Sequence, residues 1–307
     1  MKKSLMRRAI GAVAMTAAAA FLLTSCSSSA PQNEPAPSAP SDEDSAFDQA
    51  LFDLLPDDIQ ASKVIKVANP YNVPWVRLEA DGKTLTGPAP ELATALEPIL
   101  GVTFEWIESP FPNLIPGLQA NRFDLAWGSM GDTIERQELL DFVDYTREFS
   151  QLFVQKANPK GIETIEDLCG NSVATVTGSR QLQILEEASA ECGAAGEMTI
   201  STYAGAPEGI LALRSEKFDA FLGTFGSAVQ ALQDGGLDNE LAAVGPYYAE
   251  SVNGIGMLKG RDGLAEALQS ALKKVVADGD YAKILAKYSF DSYALTEDKI
   301  TINGSVV

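Results

Sequence analysis

Two short stretches of this 307-residue chain carry residue types suited to holding an anion. The first is Gly131-Asp132-Thr133-Ile134-Glu135-Arg136. Thr133 or Asp132 can cap a helix, Glu135 then falls in its first turn, and Arg136 lies about one turn in. A guanidinium there can fold back over the helix start and grip a carboxylate through two parallel hydrogen bonds. The Ser129 hydroxyl and nearby backbone N–H groups could share the load. The same arginine could instead be a surface residue paired with Glu138 or Asp141. The second stretch is Thr177-Gly178-Ser179-Arg180, between the strand-like SVATV and a helical segment. Hydroxyls, a glycine and an arginine at a helix start form either an anion site or a well-capped helix.

Composition narrows the chemistry. The chain has no histidine. That excludes histidine general acid/base catalysis, Ser–His or Cys–His nucleophile pairs and histidine metal sites. Carboxylates can still catalyse, so an enzyme is disfavoured rather than excluded. No metal or cofactor is expected. GIGMLKG at 254–260 has the wrong spacing for a dinucleotide loop and falls within a strand-like segment. With 42 acidic and 23 basic residues the net charge is −19. Such a surface argues against nucleic acid or anionic lipid as a partner.

The elements that must position these groups alternate. KVIKVAN, VTFEWIE and FDLAW read as strands; PELATALEPIL, NLIPGLQAN and TIERQELL read as helices. A second series follows, with SVATV, MTISTY and FDAFL as strands and RQLQILEEASAE, APEGILALRSE and GSAVQALQ as helices. This is the pattern of βαβ units and largely parallel sheets. Each series contains one copy of a similar corner, RFDLAWGSMG at 122–131 and KFDAFLGTFG at 217–226. Both follow a short strand and precede a helix, where open α/β sheets bind ligands. Two facing lobes would set these corners across one cleft. Of the aromatics, Trp106 and Trp127 read as core, whereas Tyr71, Trp75 and Phe111 sit in proline-rich loops and are candidates for a ligand wall.

MKKSLMRR followed by fourteen apolar residues and Leu23-Thr24-Ser25-Cys26 is similar to a bacterial lipoprotein signal, with lipidation at Cys26. Removing residues 1–25, which hold four basic and no acidic residues, leaves 19 basic against 42 acidic, a net −23. The Ser/Pro/Ala-rich segment beyond it cannot bury a core, and residues 26–61 are expected to be the lipidated cysteine and a flexible linker. Outside the cell, Cys169 and Cys192 are expected to form a disulfide rather than remain two buried thiols.

Four stretches in order, NVPWVRLEADGKTLTGPAPELATALEPILG, SPFPNLIPGLQANRFDLAWGSMGDTIERQELLDFVDY, DLCGNSVATVTGSRQ and DGDYAKILAKYSF, resemble family 3 of the bacterial extracellular solute-binding proteins, over about residues 62–303. The resemblance implies a two-lobed α/β fold of the periplasmic-binding-protein type II (Venus-flytrap) kind with two hinge crossings. Lobe 1 would hold 62–150 and 252–307, and lobe 2 would hold 151–251. It implies a monomer outside the membrane, anchored by lipid on Cys26, that captures an amino acid or related small carboxylate. The partners would be an ABC permease and its ATPase. Arg136 matches the family's carboxylate-holding arginine, with Ser129 and Gly131 on the same loop, although a hydroxyl is usual at 131. Phe111 matches a stacking aromatic, and Thr177, Gly178, Ser179 and Arg180 match the second carboxylate loop. Asn72 stands where an aromatic is common, so Tyr71 or Trp75 would substitute. Thr224 stands where an ammonium-binding Asp is usual, Asn69 is neutral too, and Arg180 adds a cation. On this basis the pocket is expected to favour anionic ligands over cationic amino acids, unless a carboxylate such as Asp132 or Glu250 turns in. A dehydratase acting on cyclic acids and the ligand-sensing subunit of a signalling system are the alternatives on the same fold.

Overall fold

The computed structural model describes residues 46–71, 74–237 and 239–305. Cys26 with the segment before it, and Asn72, lie outside the described residues. The chain folds into an eight-stranded mixed sheet and a two-stranded ribbon. Strand β1 (Val64–Asn69) is followed by the ribbon of β2 (Arg77–Leu78) and β3 (Leu85–Thr86), then by β4 (Thr103–Glu108) and β5 (Leu125–Ala126). β1 pairs in parallel with both β4 and β5. β6 (Leu140–Gln155) follows, then β7 (Ser172–Val176), β8 (Thr199–Tyr203), β9 (Ala220–Thr224) and β10 (Leu241–Leu258). β7 pairs in parallel with β8 and β9, completing a second parallel set.

The two sets are joined by the long strands. β6 and β10 run antiparallel to each other over nearly their whole lengths, and the strand order is β4-β1-β5-β10-β6-β9-β7-β8. One end of this pair lies against β5 and the other against β9. Their ladder is broken by register shifts between Val244 and Tyr248, between Tyr248 and Ser251, and between Asn253 and Gly254. Irregularities of this kind bend and twist a strand, and here they fall where the chain passes from one lobe to the other. The fold is the two-lobed α/β architecture with two hinge crossings that the family resemblance implies.

Among the described residues four apolar clusters hold the lobes. The largest draws on elements before β6, on the first part of β6, on the second half of β10 and on the helices that follow, with Ile65, Leu92, Leu96, Trp127, Val143, Ile255, Leu268 and Tyr281 among its members. A smaller one, around Leu114, Leu118, Phe123 and Phe142, backs β5. The other lobe has one cluster around Phe153, Ile210 and Phe221 and another around Leu152, Leu168 and Leu185. Helix packing follows from spacing. The helix Pro88–Leu100 buries Leu92, Ala93, Leu96, Ile99 and Leu100, one face of a 3.6-residue repeat. Each fully buried leucine there contributes roughly 2 kcal/mol. The helix starts after Gly87, whose φ of +121° brings its backbone so close to Trp75 that a Cβ would lie 2.4 Å from the Trp75 carbonyl oxygen.

Two expectations need correction. Residues 49–61 are not linker: they belong to the helices Gln49–Leu54 and Asp57–Ser62 and the turn between them, which bury Leu51, Leu55 and Ile59 in the first lobe. The helix expected over TIERQELL stops at Gln137, because Leu140 already begins β6. The disulfide is present, joining Cys169 and Cys192 beside the 3₁₀ turn Glu166–Leu168. No described helix is long and apolar enough to cross a membrane.

Candidate functional site

A cleft of about 480 Å³ opens between the two parallel sets. Its first wall comes from the loop after β1 (Pro70, Tyr71), the loop after β4 (Pro110, Phe111) and the loop after β5 (Ser129, Gly131). Its second wall comes from the loop after β7 (Ser179, Arg180), the loop after β8 (Ala204, Gly205) and the end of β9 (Gly223, Thr224). The floor is the hinge, with Glu148 of β6 and Ser251 and Asn253 of β10. The carboxyl ends of parallel strands therefore face each other, as topology demands. The twin corners at 122–131 and 217–226 do lie on opposite walls. Gly226, however, does not line the cleft, and a Cβ there would make an ordinary contact 3.4 Å from the Phe290 ring.

Arg136 is a buried cation in the cleft, tethered to both of its walls. Its short helix (Ile134–Gln137) is capped by Thr133, whose hydroxyl accepts a hydrogen bond from the Arg136 N–H. The side chain folds back over that start. Nη1 donates to the Gly131 carbonyl at 2.6 Å, and Nη2 donates to the Gly178 carbonyl on the opposite wall at 3.0 Å. The guanidinium lies 5.6 Å from the centre of the Phe111 ring, a cation–π distance. Only 9% exposed, it has its pKa pushed down to about 10 by burial, with Glu135 and Asp132 opposing the shift. At neutral pH it remains a cation, and among its described contacts are carbonyls and a ring rather than a carboxylate.

The remaining expected residues divide. Ser129, Gly131, Phe111, Ser179, Arg180 and Thr224 line the cleft with Arg136. Ser179 caps the helix Arg180–Ala190 by accepting from the Leu182 N–H at 3.2 Å. Arg180 extends along that helix to Gln183 and Glu187, at 3.2 and 3.6 Å. Thr177 is half-buried beside the cleft but off its wall, its N–H donating to the Tyr203 carbonyl. Asn69 is buried at the end of β1, where its amide donates to the Trp127 carbonyl, and does not reach the cleft surface. Trp75 is fully buried, edge-on to Tyr145, Phe290 and Tyr293, so it is core and not a ligand wall. Tyr71 takes that place on the wall. Asp132 is fully buried away from the cleft, accepting from the Gln137 amide and the Ser305 N–H.

Sequence reasoning missed the acidic side of the cleft. Glu108, Glu148 and Glu208 line it together with the two arginines, so its lining is not biased toward anions. Glu148 stands apart because it is only 2% exposed. Its Oε2 accepts from the Ser129 hydroxyl at 3.1 Å and the Asn253 amide at 3.2 Å, and its Oε1 accepts from the Phe149 N–H. Burial pushes its pKa up to about 7 against those donors. The sequence shows only Thr146, Glu148 and Ser150 at alternate positions of a strand; nothing local says that this face turns to a cleft.

Comparison with known proteins agrees with this geometry. Residues 65–292 match the profile of the bacterial extracellular solute-binding proteins, family 3. The arginine-binding protein ArgT of Corynebacterium glutamicum is 27% identical over 95% of both chains. The L-arginine-binding protein of Pseudomonas aeruginosa is 30% identical over 76% of this chain and 91% of that protein. Among solved structures, the ancestral amino acid-binding protein AncCDT-1, a precursor of cyclohexadienyl dehydratase, superposes with a TM-score of 0.66 at 25% identity, covering 76% of this chain and 98% of that one.

Proposed function

The chain belongs to the bacterial extracellular solute-binding proteins, family 3, and from that premise we propose that it is the ligand-capturing component of an ABC importer for an L-α-amino acid. Residues 49–150 with 252–305 act as one lobe and 151–251 as the other. The amino acid lies between them, its α-carboxylate on Arg136 and on the capped helix start at Ser179. Ser129, Gly131, Phe111, Arg180 and Thr224 complete its surroundings. Ligand contacts made to both walls at once stabilise the closed arrangement by differential affinity, and the closed arrangement is what a permease would accept. Lipid on Cys26 would keep the protein at the outer face of the membrane.

The observation that carries this reading is the buried Arg136 guanidinium, held over a helix start and bonded to carbonyls of both walls. Buried cations are costly unless they serve a partner. A carboxylate arriving between the walls would supply one. The arginine-binding relatives and the three glutamates of the lining support an amino acid, cationic side chains included, over the anionic preference expected from the sequence. The test is calorimetric titration of the purified protein with L-arginine, L-histidine, L-glutamine, L-glutamate and succinate. Tight binding of at least one amino acid is expected. Binding of succinate alone would overturn the reading.

One observation favours a second reading. Glu148 is a carboxylic acid in the cleft whose pKa lies near neutrality, which suits a general acid. A dehydratase acting on prephenate or arogenate would use it to protonate a leaving hydroxyl. Incubation with either compound is expected to yield no product, and turnover abolished by Glu148→Gln would establish the enzyme.

A further inference from the structure

We infer that Glu148 is the group that receives the ligand's α-ammonium, giving the cleft a buried acidic pole at the hinge to match its arginine pole. The inference rests on the reading of the cleft as an amino-acid site. A zwitterion needs a buried acceptor for its cation as much as a donor for its anion. Of the glutamates lining the cleft, Glu108 and Glu208 are exposed and Glu148 is buried.

Register places it suitably. Glu148 pairs across the ladder with Ser251, and Ser150, two residues along β6, pairs with Thr224 of β9. Residues two apart on a strand share a face, and so do cross-strand partners. Glu148, Ser251 and Thr224 accordingly come to the same side, and all three line the cleft. The acidic pole is tied to the basic one through a single loop. Ser129 donates to Glu148, and two residues on, the Gly131 carbonyl accepts from Arg136.

Burial raises Glu148 against three neutral donors, Asn253, the Phe149 N–H and Ser129. The titratable groups facing it are the phenols of Tyr145 and Tyr293, both themselves raised by burial. Burial outweighs the neutral donors, so its proton is retained to about pH 7. An arriving ammonium favours the carboxylate and expels that proton to solvent, so binding at pH 6.5 is an exchange of a proton for the amino acid.

Two probe pairs test this: L-arginine with 5-guanidinopentanoate, and L-glutamine with glutaramate, the second of each pair lacking only the α-ammonium. Wild-type protein is expected to prefer the amino acid of the pair it binds by at least about 100-fold. Glu148→Gln, nearly isosteric, is expected to cut that ratio below about 10-fold, chiefly by weakening the amino acid. A ratio unchanged by the substitution overturns the inference, including the case in which Glu148 holds a side-chain cation and both probes weaken together. A measurement on the wild-type protein is independent of the variant's folding. Calorimetry at pH 6.5 in buffers of different ionisation enthalpy is expected to count proton release with the amino acid and none with its partner. Equal counts overturn the inference. Failure of the underlying reading is recognised separately, by amino-acid binding that Arg136→Ala leaves untouched. If L-histidine or L-glutamate is the amino acid bound, imidazolepropionate or glutarate is the matching probe without the ammonium; binding of no amino acid of the panel overturns both.

Discussion

Arg136 donates through Nη2 to the carbonyl of Gly178, 42 residues away on the facing wall, at 3.0 Å. That bond makes one side chain a strut between the two corners the sequence marks for anion binding. Gly178 can present its carbonyl there because its φ is +70°, a region that costs other L-residues roughly 1 kcal/mol. No atom lies within 4 Å of the position a Cβ would take. Gly178→Ala should therefore lower stability by about 1 kcal/mol through backbone strain alone and weaken ligand affinity several-fold as the carbonyl turns. Denaturant melts and calorimetry on the same variant check the two effects.

Gly131 behaves differently. Its Cβ position is 3.6 Å from Arg136 Nη1 and 3.9 Å from the Val252 carbonyl oxygen, ordinary contact distances. Its φ is not among the positive values. Gly131→Ser should fold with a stability change within about 0.5 kcal/mol and place a hydroxyl beside the guanidinium. Affinity for the amino acid is expected to rise or hold. A loss above tenfold would show that the glycine serves close backbone approach by the ligand.

The buried acids set a pH dependence. Burial raises Glu148 from 4.5 to about 7, and burial with the neighbouring Asp132 raises Asp144 from 3.8 to about 7. In both, the folded state binds the proton more tightly than the unfolded one. Their stabilisation is fully present below the unfolded pKa and is lost as pH rises through the folded pKa. For Glu148 the shift corresponds to about 3 kcal/mol at most. Without ligand, Glu148→Gln should match wild type near pH 4.5 and be the more stable protein above pH 7.5. Thermal melts across that range check the crossing.

The Cys169–Cys192 bond spans a sequence separation of 23. Loop-closure entropy for a ring of that size is worth roughly 3 kcal/mol. Reduction, or the double Cys→Ser variant, should lower the melting temperature of the lobe carrying Leu168 and Leu185 while leaving cleft chemistry intact, since neither cysteine lines the cleft. Melts with and without reductant, alongside ligand titration, separate the two.

What the sequence reveals follows from how local each signal is. β1, β4 and β7 announce themselves by apolar residues bounded by turns, and Arg136 by its place behind a capping threonine. Trp75 is misplaced because flanking prolines identify a loop but not which way its aromatic turns; only the packing against Tyr145 and Phe290 decides that. The helices at 49–62 are hidden by their nearness to a polar segment, though Leu51, Leu55 and Ile59 repeat at helical spacing. Glu148 is invisible for a deeper reason. Its meaning depends on the register of β6 against β10 and β9, contacts about 75 to 105 residues apart in the chain. A polar residue in a strand reads as solvent-facing until the second lobe is in place.

Ligand capture in this cleft depends on Arg136 holding the ligand's carboxylate. The direct measurement is calorimetric titration of Arg136→Ala beside the wild type with the tightest-binding amino acid of the panel. A loss of at least about 100-fold is predicted, the scale for removing one partner of a buried, hydrogen-bonded charge pair. Affinity undiminished in the variant would contradict the account.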